Sequence, residues 1–333
     1  MPVKKRQKGG ETMRISQLLF GLALIMALPV VARAEDRYPS RPVRIVVGFG
    51  PGAAADLTAR VIAQRLSQTM GQQFFVENKP GGGSTVAAEQ VARGSKDGYT
   101  LFIGTVANVI NAVIDPELGF DFARDFAPVV YTTSSPNILV VHPSTGVSDV
   151  KGLIALAKAK PGQVFFGSSG VGTSPHLSGE LFNMMAGTQM VHVPYSGSAQ
   201  AVTDLIAGRT QVMFSPASSV LPYVESGQLK ALASSERERA LAAPNLPTVA
   251  EAGLPGFDTS VWFGFVAPTG TPREIVDRLA HAINEALADD AVTRQLHNAG
   301  LDIKGGTPEQ FAAYIASETK KWDAVVKAAG LRK

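Results

Sequence analysis

An α/β fold in two lobes, each a mainly parallel sheet flanked by helices, is what the sequence predicts, on three observations. The stretch VRIVVGFGPGAAADLTAR, residues 43–60, reads as a buried β-branched strand, a glycine-rich turn and an Ala-rich helix. Strand and helix signals then alternate to residue 104 and begin again near Asn137. Finally, 299 residues remain after an N-terminal leader is set aside, more than one hydrophobic core usually serves.

The leader is residues 1–34. Lys4, Lys5, Arg6, Lys8 and Arg14 make a basic start, and Leu18 to Val31 is an apolar run broken by Pro29. Ala32-Arg33-Ala34 supplies the small-x-small pattern of a signal-peptidase site, so export to the periplasm with cleavage after Ala34 is expected. The run is too short for a spanning helix, which needs about 20 residues. Of 31 basic and 28 acidic side chains, the leader holds six and one, which leaves 25 against 27. The basic pI therefore belongs to the leader and gives no argument for a nucleic-acid partner. The absence of cysteine excludes thiol catalysis and Cys-ligated metal sites.

Taken in order, the helix after the first turn runs from about Ala54 to Met70 and stops at Gly71. Phe74 to Glu77 is a second strand, and Ser84 is expected to cap a helix through Arg93. Thr100 to Gly104 is a third strand, completing βαβαβ. The second series has strands at 138–141, 164–166, 191–193, 211–214 and 229–233. Its helices fall at 149–160 (capped by Ser148), from Pro175 to about Gly187, and at 199–207. Residues 244–260 read as connection and Val261 to Ala267 as one more buried strand. The rest is helical, with Thr271-Pro272-Arg273-Glu274 and Thr307-Pro308-Glu309-Gln310 as capping boxes. Helices without strands of their own need a sheet to cover, so the chain is expected to return to the first lobe. The expected boundaries are 35–135 plus 261–333 for lobe 1 and 136–260 for lobe 2.

Each lobe thus carries a glycine-rich turn at the carboxyl end of a strand, running into a helix, where an open parallel sheet binds ligands. Neither turn holds Lys or Arg, which favours a carboxylate held by N–H and hydroxyl groups over phosphate. Candidate ligand-binding residues are Ala54, Ala55 and Asp56 at one helix start and Ser169, Thr173 and Ser174 at the other. Thr105 ends the third strand at the same edge, while Phe49, Tyr195 and Phe263 are candidate walls. Asp56 has two readings: it complements the helix dipole, or it accepts a hydrogen bond from the ligand or a water. Asp56→Ala and Ser174→Pro are expected to weaken binding and spare the stability of the empty protein. His176 reads as a packing residue, and His142, His192, His281 and His297 show no metal-ligand spacing.

Chemistry has no comparable support. No HExxH, GxSxG or P-loop lysine occurs, and Ser148/Lys151 and Ser317/Lys320 lack the companions of a Ser-x-x-Lys site. Gly48-x-Gly50-x-Gly52 mimics a dinucleotide fingerprint, but Pro51 disturbs the turn and the spacing is wrong. No catalytic residue, metal or cofactor is assigned.

These residues resemble the substrate-binding proteins of tripartite tricarboxylate transporters, the Bug-type periplasmic receptors. The motifs run in family order: YPSRPVRIVVGFGPGAAAD, ENKPGGGSTVAAEQVARGSKDGYTLFIGT, FDFARDFAPV, GSSGVGTSPHLSGELF, VPYSGSAQAVTDLIAGRTQVMF, LPTVAEAGLPGFD and WFGFVAPTGTP. The resemblance implies a Venus-flytrap, type II-like periplasmic-binding-protein fold that traps a carboxylated solute, often through ordered waters. It also implies delivery to a membrane permease, no catalysis, and a carboxylate grip by the loops at Ala54–Asp56 and Ser169–Ser174. Two departures bear on specificity: Ala53 stands where the family commonly has glycine, and Ser215 where an acidic residue often meets an amino group. Mono- or dicarboxylates, aromatic acids included, are the expected ligands, and a monomer is the expected state. A sensing module acting on a receptor kinase and an exported enzyme are the alternatives from other classes.

Overall fold

The computed structural model describes residues 1–3 and 38–333, so the leader from residue 4 onward and its cleavage site lie outside the described residues. Strands β1 (Val43–Val47), β2 (Phe74–Asn78) and β3 (Thr100–Thr105) pair in parallel, with β1 in the middle. Helices α1 (Ala54–Met70) and α2 (Thr85–Ala92) connect them, as the alternation predicts. β1 buries Val43 and Ile45 to Val47 completely, the pattern of a strand covered on both faces. Gly71 ends α1 in the left-handed region at φ 73°, where a side chain would be strained.

Two long strands organise the rest. β4 (Phe126–Val141) pairs antiparallel with β9 (Ser260–Pro268) from Phe126↔Pro268 to Pro136↔Ser260. β9 in turn lies antiparallel against β3. From Asn137 onward β4 changes partners, to β7 (Val212–Pro216) and β8 (Lys230–Ser234), both antiparallel. Beyond β7, β5 (Phe165–Ser168) and β6 (Val191–Pro194) return to parallel pairing. The sheet therefore runs β2-β1-β3-β9-β4-β7-β5-β6, and β8 and the short β10 (Asp302–Ile303) also pair with β4. It is mixed, parallel towards both ends and antiparallel where β4 crosses from one series to the other.

The partner switch has a local cause. Pro136 has no N–H to give a ladder. Asn137 gives its N–H to Ser235 Oγ at 3.0 Å, and that hydroxyl donates to Thr259 O. Pro128, within the same strand, sits at a register shift, where a missing donor is tolerated.

Several helix starts differ from the sequence reading. Asp149, not Ser148, caps α5 (Val150–Ala159), its Oδ1 accepting the Gly152 N–H at 2.7 Å; α3 (Val106–Ile114) and α4 (Phe122–Asp125) precede it. α6 (Ser174–Ala186) and α7 (Ser198–Ile206) match the expectation, and α8 (Ala217–Glu225) is an addition. Ser84 sits at the start of α2 at φ 80° and its hydroxyl caps nothing. Thr271 gives its hydroxyl to Pro268 O instead of capping α9 (Arg273–Leu287), whereas Thr307 and Gln310 form the expected box. α9 and α10 (Asp290–Asn298) pack on α1, and α11 (Pro308–Ala328) packs on α3 and β4.

Candidate ligand-binding cleft

Three helices begin at one cavity of about 290 Å³. At α1 the cap position is Ala53, which has no side chain to accept a bond. Among the described residues the amides of Ala54, Ala55 and Asp56 find no protein acceptor. At α6 the cap residue Thr173 turns its hydroxyl to Gly170 O at 2.7 Å, and Pro175 has no N–H. The Ser174 amide is left open in the same way. α3 is capped more fully: Thr105 Oγ1 accepts the Ala107 N–H at 3.2 Å, and Asn108 Oδ1 accepts the Thr105 N–H at 3.0 Å.

The cavity brings together Phe49, Ala54, Ala55, Thr105, Ser169, Thr173, Ser174 and Phe263. Not one Lys, Arg, Asp or Glu is among its lining residues, which are mostly apolar. An anion there meets helix-terminus amides and hydroxyls, with a favourable dipole of about 0.3–1 kcal/mol per terminus.

Three sequence candidates stand elsewhere. Asp56 is 3% exposed and faces its own loop. Its carboxylate accepts from Gly52 N–H at 2.9 Å, Asn78 Nδ2 at 2.8 Å and Arg60 Nε at 3.0 Å. Burial pushes its pKa up, but the Arg60, Gly52 and Asn78 bonds outweigh that and hold it below the usual 3.8. Asn78 Nδ2 also donates to Phe49 O at 3.0 Å, so Asp56 shapes the turn that carries Phe49. The Tyr195 hydroxyl donates to Asp204 at 2.9 Å. Ser215 is fully buried on β7 opposite Ile138, and its hydroxyl has no partner among the described residues.

The loop before α6 is braced by two imidazoles. Gly172, at φ 75°, donates its N–H to His176 Nδ1 at 3.1 Å. Ser168 Oγ meets His192 Nε2 at 2.6 Å and accepts the Gly170 N–H at 3.1 Å. The rings stack with centroids 3.7 Å apart, and Phe166 lies 5.1 Å from His192. Burial, with His192 as the lesser cause, lowers His176 to about 3, and burial lowers His192 to about 4, so both are neutral near pH 7. Accepting at Nδ1 fixes the His176 proton on Nε2.

Two features were not foreseen. Asn111, on α3, lines the cavity, and its Nδ2 donates to Gly82 O at 3.3 Å and Gly83 O at 3.2 Å, tying the second glycine turn to the site. Gly48 allows that turn to close in, because a Cβ there would fall 1.9 Å from Ser84 Oγ. Only the glycine run hinted at this approach; nothing around Asn111 signalled its position. Larger cavities exist, one of about 480 Å³ behind β4 and β9, but they receive no converging helix starts.

Known proteins share this architecture. The family described as "Tripartite tricarboxylate transporter family receptor" matches residues 58–331. Protein BugT of Bordetella pertussis is 34% identical over 324 residues, covering 96% of this chain and 99% of BugT. Among solved structures, R. palustris Rpa4515 with adipate is 38% identical with a TM-score of 0.74, over 88% of this chain and 98% of that one. MatC of Rhodopseudomonas palustris with bound malate is 30% identical with a TM-score of 0.71, over 87% of this chain and 100% of that one.

Proposed function

We propose that this chain, which belongs to the tripartite tricarboxylate transporter receptor family, captures a small carboxylated solute in its cleft and delivers it to a membrane permease. The observation that carries the carboxylate is the pair of helix starts at Ala54 and Ser174. Among the described residues their amides lack acceptors, and they open on a cavity with no Lys or Arg in its lining. Phosphate or sulfate would call for Lys or Arg; a carboxylate on an apolar chain fits amides, hydroxyls and the Phe49, Val261 and Phe263 walls. Adipate and malate in the two R. palustris relatives are of this chemical class. The cavity volume lies at the small end of ligand pockets, consistent with a mono- or dicarboxylate.

Helix termini alone fall short of the about 8 kcal/mol of a micromolar site. Closure of two lobes supplies the remainder in this reading. Residues 35–135 with 261–333 form one lobe, 136–260 the other, and the ligand sits between them. The change of β4 partners between Pro136 and Asn137 and the start of β9 at Ser260 support those boundaries. A leader at 1–34 and the periplasmic character of the family support action in the periplasm, as a monomer that opens and closes.

Thermal unfolding of the protein freed of copurified ligand, against a panel of carboxylates and their amides, tests the reading. A ligand raises the midpoint progressively with concentration by mass action. A carboxylate that does so while its amide does not supports the proposal. A panel without any such carboxylate sinks it.

A further inference from the structure

One side chain in the cleft has its hydrogen-bonding sense fixed by its neighbours. Asn111 Nδ2 donates to Gly82 O at 3.3 Å, Gly83 O at 3.2 Å and Thr85 Oγ1 at 3.4 Å. The first two are carbonyls, and Thr85 Oγ1 already gives its own proton to Gly82 O at 2.6 Å. Turning the amide over would set Oδ1 against three acceptors, so the glycine turn holds Nδ2 towards itself and Oδ1 away. The glycines on either side show the same direction. A Cβ on Gly83 would fall 2.9 Å from Nδ2, and one on Gly172 would fall 3.8 Å from Oδ1. Both glycines line the cleft.

Asn111 Oδ1 has no donor among the described residues. It is open rather than sealed, on a half-buried residue of the cavity lining. The other polar side chains of that lining are the hydroxyls of Thr105, Ser169, Thr173 and Ser174, each of which carries a proton to give. With the open amides of Ala54, Ala55 and Ser174 they suit carboxylate oxygens. Asn111 Oδ1 repels a carboxylate oxygen and calls for a donor on another part of the ligand.

Charge decides which donor. No Asp or Glu lines the cavity, so an ammonium enclosed there would be buried without a counter-ion, at a high desolvation cost. A hydroxyl donates without that cost. Resting on the carboxylate reading above, we propose that Asn111 is a specificity-determining residue, its Oδ1 accepting from a ligand hydroxyl. The cleft thereby selects hydroxy acids over their deoxy and amino counterparts, because closure on a ligand without the hydroxyl leaves a buried acceptor unpaired.

The test is calorimetric titration of the protein freed of copurified ligand. The probes are succinate against malate and aspartate, and butyrate against 2-, 3- and 4-hydroxybutyrate and the matching aminobutyrates. At least one hydroxy acid should bind about tenfold or more tighter than its deoxy partner, and its amino counterpart no tighter than that partner. Asn111→Leu should bring that hydroxy and deoxy pair to within about twofold of each other, even where losing the glycine-turn bonds lowers both affinities. Should this variant not fold, the wild-type pairs decide alone. Deoxy acids that bind as tightly as every hydroxy partner, an amino acid that binds as tightly as its hydroxy counterpart, or an unchanged ratio in Asn111→Leu overturns the inference and leaves the carboxylate reading standing. No saturation by any of these acids up to about 10 mM overturns that reading as well.

Discussion

The loop before α1 and the loop before α6 both end in helix starts with open amides, yet they are braced by opposite charge states. The first is drawn together by an ionised carboxylate, Asp56, with Gly52, Asn78 and Arg60 donating to it. The second is held by neutral imidazoles, with His176 accepting from Gly172 and His192 meeting Ser168. Either scheme keeps net cation away from the carboxylate position: one side neutralises Arg60, the other refuses protons. The difference teaches that the two loops must fail under different conditions.

Breaking the first brace gives the largest expected effect. Asp56→Ala strips the acceptor from three donors and should cost the ligand-free protein about 3 kcal/mol, read by urea unfolding. That reverses the sequence expectation of an unchanged empty protein. A loss under about 0.5 kcal/mol would return Asp56 to the ligand. Ser174→Pro is likewise no longer neutral, because Asn137 Nδ2 donates to Ser174 Oγ at 2.8 Å in the core.

Acid should separate the braces. An unfolded histidine titrates near 6.5, whereas His176 and His192 titrate at about 3 and about 4 in the fold. Below pH 6.5 the unfolded chain therefore takes protons that the native one refuses, and stability falls as pH drops towards 4. The slope is at most about 1.4 kcal/mol per pH unit for each ring. Asp56, depressed below 3.8, keeps its full contribution across that window and loses it only below. His176→Asn, which retains an acceptor for Gly172, should flatten the slope relative to wild type in unfolding measured from pH 7 to 4. Parallel curves for the two proteins would show that His176 does not brace the loop. Buried Glu236 and Asp302 are shifted upward and act in the opposite sense, equally in both proteins; Glu180, shifted upward too, lies 3.7 Å from His176 Nε2, so its surroundings change with the substitution.

A smaller effect sharpens the comparison at the amides themselves. Ala54 is exposed, and Ala53 before it lies at φ −66°, ψ 156°, already suited to a following proline. Ala54→Pro deletes one open N–H with little strain. Carboxylate affinity should fall about tenfold, about 1.4 kcal/mol, while the empty protein unfolds as before. Unchanged affinity would leave the α1 start outside the site.

What was legible in the sequence followed from how local its signals are. The β1–α1 unit was readable because Gly71 and the glycine turn mark its ends, and Thr307 and Gln310 announced their capping box three residues apart. The upstream part of β4 was not, because Pro128 and Pro136 look like breaks until β9 and β7 are seen to supply the pairing. α3 went unread although Val106, Val109, Ile110 and Val113 fall at helical spacing, because their β-branched types favour a strand. With α3 unread, Asn111 stayed hidden. The loop residues of the site were readable as helix starts after glycine turns, but the direction of a side chain such as Asp56 depends on Asn78 and Arg60, which no spacing rule brings to it.

Tyr195 supplies the smallest and most discriminating case. The sequence places it as a cleft wall, beside the second loop. Its backbone N–H does serve that loop, donating to Ser168 O at 3.1 Å, but its hydroxyl reaches away to Asp204. Asp204 and burial both hold the phenol proton on, raising the pKa to about 12, with burial the larger cause. Asp204 keeps a second partner, Arg209, at 2.7 Å, so losing the hydroxyl leaves no bare carboxylate. Tyr195→Phe should therefore change carboxylate affinity by less than about 0.5 kcal/mol and stability by about 1 kcal/mol at most. A large loss of affinity with stability intact would mean that Tyr195 swings into the cleft when ligand is bound, and that the second loop is the mobile one of the two.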